Sequence, residues 1–532
     1  MRTNLIKNLL LSGAIVLAGA SCTNDLERTP LYDVTSASVY NDFNNYRSVL
    51  GKLYAGYALT GQQGPDGRPD VGGIDEGASN YLRQYWQLQE LPTDEAKVAW
   101  GDPDLPVLNT AQWSASNGFV RAMYYRVFYQ ITLANDFIRA TTEDKLGSRG
   151  FSADQLADAR RFHAEARFLR ALSYWHALDM FGSVPFVTES DQVGAFFPKQ
   201  ASRAELFTFV ESELLAIESQ LAAPRQNEYG RADQAAAWTL LTKLYLNAPV
   251  YLGQAQNKYT EAVTYANKVI SAGFALEPDY NKLFLTDNNT SPEIIFPITF
   301  DGTRTKSWGG MTFLVRAPIG GSMTAADFGV ASGWGGLRTT KSIVNLFPDP
   351  SGNTDERANF YSEGQSLEIN NLSTFTDGYG MIKFRNVSST GQVGSDPGKD
   401  HVDTDFPMFR LADVYLMYAE AVLRGGTGGT VGQALQYVNL VRERAFNGTA
   451  GNITQGDLTL NFIIDERARE LKWEAHRRTD LIRFGRFTGG EYLWPWKGGV
   501  KEGRALEPYR VLFPIPTSDV TANPNLTQNT GY

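Results

Sequence analysis

The chain predicts a mainly α-helical fold: a scaffold of tetratricopeptide-like helical pairs carrying a large loop-rich region with short β-hairpins. Three observations predict it. Residues 152–185 read as one long helix that turns apolar nearly all round toward its end, so other helices must cover it. Two consecutive segments, 232–251 and 258–271, set small and aromatic residues at helical spacing. The same design returns in 410–424 and in the helix lined by Ala434, Tyr437, Val438 and Val441. Between these pairs, residues 285–400 are rich in Gly, Ser, Thr, Asp and Asn and hold only short strand-like runs such as 293–300.

Taken in order, residues 39–58 form a first helix, and 59–115 turn loop-rich through Gly61-Gln-Gln-Gly-Pro-Asp-Gly to Asp75-Glu-Gly. That stretch keeps Tyr81, Tyr85, Trp86 and Trp100, which marks it as ordered. Helices resume at 120–140. In the long helix that follows, Ser152 and Gln155 make a capping box, and Gly182 with Pro185 stop the element. Asp154, Asp158, Arg161 and Glu165 share a wetted face, opposite Phe162, Ala166, Leu169 and Leu172. Another helix spans 202–222, before the pairs. The scaffold therefore covers about 39–58, 117–284 and 404–485 of a single domain, 39–532. The loop-rich parts are about 59–116, 285–403 and 486–532.

Composition narrows the function. Of 532 residues, 42% are hydrophobic and 12% aromatic, so the chain has ample material for a core. A net charge of −9 with no long basic run argues against a nucleic-acid partner. The four histidines, His163, His176, His401 and His476, lack zinc-site spacing. The single cysteine excludes an internal disulfide and any cysteine-rich metal centre. Its position is informative: a basic lead, an apolar run from Leu9 to Ala18 and then Gly19-Ala-Ser-Cys22 read as a signal peptide over 1–21. The segment resembles a bacterial lipobox, with Gly19 where Leu is commonest. That resemblance makes Cys22 the lipid-modified start of a tether over 22–38, anchored to a membrane without crossing it; the alternative is an ordinary signal peptide with an incidental cysteine.

Ala164-Glu-Ala-Arg-Phe-Leu-Arg-Ala-Leu, Phe181-Gly-Ser-Val-Pro and Arg410-Leu-Ala-Asp-Val-Tyr-Leu-Met-Tyr-Ala-Glu-Ala resemble the SusD/RagB family of outer-membrane nutrient-binding lipoproteins. So do Arg477-Arg-Thr-Asp-Leu-Ile-Arg-Phe-Gly and the ending Pro514-Ile-Pro through Asn523-Pro-Asn. Within that family, Gly61-Gln-Gln-Gly-Pro-Asp-Gly, Glu90-Leu-Pro-Thr-Asp-Glu and Tyr492-Leu-Trp-Pro-Trp-Lys-Gly-Gly look like its starch-binding members. The resemblance implies a cell-surface protein that captures starch or malto-oligosaccharide, does no catalysis, and passes the sugar to a SusC-like TonB-dependent transporter. It also implies the site. Trp308 and Trp334 match two positions of an aromatic arc, and Asp75 and Arg83 match hydroxyl-binding positions, with Asp102 in a further polar role. The third arc position falls on Val98, a departure, with Trp100 two residues on as the nearest aromatic. The physics suits these residue types, since a pyranose packs its C–H face on a ring while its hydroxyl rim takes fixed donors and acceptors.

Other tryptophans, Trp175, Trp238 and Trp473, fall on helical faces and read as core, and Arg477, Arg478, Asp480 and Arg483 read as structural ion pairs. No cofactor is required. The candidate ligands for a structural calcium ion are Asp287 and Asn288, or Asp66, Asp70 and Asp75, though neither set has EF-hand spacing. Three alternatives stay open: a family member for fructan or peptides, a glycoside hydrolase using two of the 58 acidic residues, and a scaffold that binds only protein. No hydrolase motif supports the second.

Overall fold

The computed structural model describes residues 39–532; the expected leader 1–21, Cys22 and the tether to residue 38 lie outside them. Helix α1 (Phe43–Ala58) starts at Asp42, whose carboxylate accepts the Asn44 amide at 3.0 Å. Helix α2 (Tyr81–Glu90) starts at Asn80, whose side chain accepts the Arg83 amide at 3.0 Å. This element corrects the loop expected there. All ten of its residues are buried, Arg83, Gln84, Gln87, Gln89 and Glu90 among them, so it has no wet face from which a helical period could be read.

The long helices follow as α3 (Gly118–Ala140) and α4 (Ala153–Phe181). In α4 the capping box is present: the Ser152 amide donates to Gln155 Oε1 at 3.0 Å, and the Gln155 amide donates to Ser152 Oγ at 3.3 Å. Gly182, at φ 74°, ends the helix in a conformation that a side chain would resist. From Ala164 to the end, α4 is buried at every position but Arg167. Glu165 departs from the expected wetted face: it is buried, accepting Tyr54 Oη at 2.6 Å and Arg231 Nε at 3.0 Å. Spacing alone cannot foresee a partner brought from another element. Ser152→Ala removes one arm of the box and is expected to cost about 1 kcal/mol. A guanidinium denaturation midpoint shifted down checks it; an unmoved midpoint counts against it.

Next come α5 (Arg203–Ile217), α6 (Gln234–Leu246) and α7 (Tyr259–Ile270), then the short α8 (Gly310–Arg316). The last scaffold helices are α9 (Leu411–Leu423), α10 (Val431–Ala445), α11 (Leu460–Leu471) and α12 (Arg477–Arg483). Each packs on its neighbour: α3 on α4, α4 on α5, α6 on α7, and α9 on both α10 and α11. Helix α7 packs directly on α9, so the loop region between them is an insertion on a continuous stack. The sheets among the described residues are all two-stranded. Strand β1 (Ala96–Val98) pairs antiparallel with β3 (Leu337–Thr339). Strand β2 (Ile294–Ile298) pairs with β4 (Phe406–Arg410) across two irregularities.

Buried ion pairs tie α12 to the 91–95 loop, to α4 and to α9. Arg477 meets Asp94 at 2.7 Å, Arg478 meets Asp179 at 3.2 Å, and Arg483 meets Glu420 and Asp480, each at 2.7 Å. A second network gathers Arg357, Arg410, Arg442, Arg444, Glu293, Glu466 and Glu470. Burial alone would raise the Glu466 carboxyl, but Arg357, Arg469 and Arg442 overcome it and hold it at about 2. A depressed carboxyl stabilises fully above its unfolded pKa, roughly 4.3, and loses that contribution as pH falls through the folded value. The melting temperature is therefore expected to fall between about pH 4 and 2 as this contribution is lost. A melting temperature constant down to pH 2.5 would contradict the network's role.

Candidate functional site

The β1–β3 pairing brings two distant loops together. Val98 lies opposite Leu337, and the next amide, Ala99 N–H, donates to Gly336 O at 2.8 Å. Trp100 thereby lands against the 334–336 segment, and its indole N–H donates to Trp334 O at 3.2 Å. Gly336 makes the approach possible, because a Cβ there would sit 2.2 Å from the Trp100 ring. Val98 itself is buried in the core, 1% exposed, with its amide and carbonyl both held by the Asn109 side chain.

Trp308 arrives from the loop that opens α8. Its amide donates to Glu76 Oε2 at 3.3 Å and its indole N–H to Asp66 Oδ1 at 3.0 Å, so the Gly-rich 61–77 loop grips it from one side. His401, buried, lies against it with ring centroids 4.8 Å apart and the planes tilted by 42°.

The outcome is a row of three half-buried indoles. Trp100 and Trp334 have centroids 6.3 Å apart with planes turned by 50°; Trp334 and Trp308 repeat that spacing at 6.3 Å, turned by 56°. Consecutive faces are therefore tilted, not coplanar. The Val98 departure leaves no gap in the row, since Trp100 stands beside Trp334.

Buried cations lie against the row. The Arg83 guanidinium sits 4.4 Å from the Phe313 ring and 5.9 Å from Trp100. Arg83 makes no ion pair among the described residues, and its Nε has no hydrogen-bond partner. Burial lowers it to about 10, partly offset by the fields of Asp75, Asp102 and Glu76. Asp75 is exposed and caps a short turn, Oδ1 accepting the Ala78 amide at 3.2 Å, and Asp102 is exposed. Glu76 is raised by burial, against the hydrogen bonds it accepts from Thr60 and the Trp308 amide. So Trp100, Trp308, Trp334, Arg83, Asp75 and Asp102 gather round one open surface, with donors, acceptors and ring faces side by side.

Three residues that support this surface carry no signal in the sequence: the buried Arg316 and His401, and Asp66 as a partner of Trp308. The candidate calcium ligands make contacts within the chain. Asn288 is buried and donates to Leu283 O at 3.0 Å and Asp405 O at 2.9 Å, pinning β4, while Asp287 accepts the Ser389 amide at 2.9 Å. Asp70 pairs with Lys52 at 2.6 Å. A concavity of about 820 Å³ lies elsewhere, between the 186–201 segment and α5, lined by Phe186, Phe197, Phe209 and Glu205.

Stacked helical pairs with an inserted loop region presenting tilted aromatic faces define a scaffolded binding protein. Comparison with known proteins makes the assignment specific. The SusD family profile matches residues 349–532. The chain is 36% identical to the starch-binding protein SusD of Bacteroides thetaiotaomicron, over 100% of both chains. It is 25% identical to the SusD-like protein P25 of Formosa agariphila over 99% of each. A crystal structure of a SusD homologue from B. thetaiotaomicron superposes with a TM-score of 0.73 at 20% identity, covering 95% of this chain and 99% of that one. The chain belongs to the SusD family.

Proposed function

We propose that this chain is a cell-surface glycan-binding protein that captures starch or malto-oligosaccharide without cleaving it and hands it to a SusC-like TonB-dependent transporter. The observation that carries the reading is the row Trp100–Trp334–Trp308, whose successive planes turn by 50° and 56°. An α-1,4-glucan is a curved chain, and ring faces tilted to one another suit it where coplanar faces would suit a straight one. Arg83 adds unengaged donors and Asp75 and Asp102 add acceptors for the hydroxyl rim. The likeness to the starch-binding SusD supports α-glucan over other sugars. Among solved structures of the same fold, a surface glycan-binding protein A from B. thetaiotaomicron holds laminarihexaose, which keeps β-glucan as the second reading (TM-score 0.69, 18% identity, 91% of this chain).

Attachment to the outer membrane through Cys22 belongs to the same proposal, and no helix among the described residues is long and apolar enough to cross a membrane. Titration calorimetry with maltoheptaose, laminarihexaose and a fructan tests the substrate. Saturable binding of maltoheptaose, with the other two weaker by at least about tenfold, is expected. Tighter laminarihexaose binding would move the protein to the β-glucan reading.

A further inference from the structure

Trp308 and Trp334 come from separate loops, and one buried side chain touches both. Arg316, the last residue of α8 and 4% exposed, places its guanidinium 5.6 Å from the Trp308 ring and 5.2 Å from the Trp334 ring. The same group ties two loops together. Its Nε donates to Ser332 O at 2.9 Å and Nη2 to Ser332 Oγ, while Nη1 donates to Asp400 O at 3.0 Å and Asp400 Oδ1 at 3.1 Å. Its own carbonyl accepts the Trp334 amide at 2.9 Å. The residue after Asp400 is His401, the ring against Trp308. One rigid fork therefore fixes the loop that carries Trp334 and the loop that supports Trp308.

We infer that Arg316 is the positioning residue of the saccharide surface: bridging the Ser332 and Asp400 loops between two indoles, it sets the angle between the Trp308 and Trp334 planes. The inference rests on the glycan reading above and adds to it a determinant of fit that does not itself reach the sugar. A guanidinium suits the task because its planar donors point in several fixed directions at once. A lysine ammonium at the same place is a single point and cannot span four acceptors on two loops.

The test uses Arg316→Lys and Arg316→Met in the full mature chain, with maltoheptaose calorimetry and near-ultraviolet circular dichroism of the unliganded protein. Both variants are expected to bind about 5- to 10-fold more weakly and to change the tryptophan dichroism, with the lysine giving no rescue despite its charge. A role in stability alone would lower the melting temperature and leave affinity and dichroism of the folded protein unmoved; that result overturns the inference. Should the variants not fold, Ser332→Ala combined with Asp400→Ala removes two of the four acceptors, and it must shift affinity and dichroism in the same direction or the inference fails. Trp334→Ala run in parallel separates the two levels. Lost binding there with unchanged Arg316 variants refutes only the positioning role, whereas unchanged maltoheptaose binding in Trp334→Ala takes the indole row out of the site, and the inference with it.

Discussion

Replacing Trp334 or Trp308 with Ala is expected to weaken malto-oligosaccharide affinity at least about tenfold. Truncating a stacking aromatic at the centre of an interface commonly costs about 2 kcal/mol or more, above the roughly 1.4 kcal/mol that a tenfold change represents. Trp334 is the middle ring, 6.3 Å from each neighbour, so its loss opens a gap in a continuous apolar strip. Trp308 is an end ring, yet its indole N–H is spent on Asp66, which leaves its face as its contribution. Calorimetry on both variants checks this, and unchanged affinity in both removes these rings from the site. Val98→Ala serves as a control: buried in β1, it is expected to affect stability and leave the affinity of the folded protein unaltered.

The largest stability effect is expected at Glu470. Its Oε1 accepts Arg410 at 2.6 Å and also Arg444, and its Oε2 accepts Arg357 at 3.2 Å, all within fully buried surroundings. Burial opposes the charge, but Arg444, Arg410 and Arg357 outweigh it and hold the carboxyl far below its ordinary value. Glu470→Ala leaves three guanidinium groups short of a counter-charge in a dry interior, which costs about 3–5 kcal/mol for a single broken pair of this kind. The bidentate Arg160–Glu143 pair, at 2.8 and 2.9 Å, is the contrast, since both partners are largely exposed. Solvent screening makes Glu143→Gln nearly silent. Denaturant midpoints of the two variants, measured side by side, check the difference. Equal small shifts would mean that the buried network relaxes by admitting water.

Why some of this was legible and some not follows from the residues. Helix α4 was legible because its signals are local: Ser152 and Gln155 are three apart, and Gly182 follows the last turn. The pairs α6–α7 and α9–α10 were legible for the same reason. Helix α2 was not, because it is surrounded on every side and carries Arg83, three glutamines and Glu90 into the core, so neither composition nor period marks it. Glu165 misled because Arg231 and Tyr54 supply its compensation from elsewhere in the chain. At the site, the tryptophans were nameable by resemblance, but their adjacency depends on the β1–β3 register, a long-range fact. Arg316 and His401 carry no local motif; only the folded chain puts them between and against the rings.

The central matter is whether glycan lies along the indole faces. A crystal structure of the protein with maltoheptaose answers it directly. Glucose rings stacked on Trp100, Trp334 and Trp308, with Arg83 and Asp75 at hydroxyl distance, are expected. A sugar seated in the Phe186–Phe209 concavity, or anywhere that leaves the three indoles bare, would contradict it.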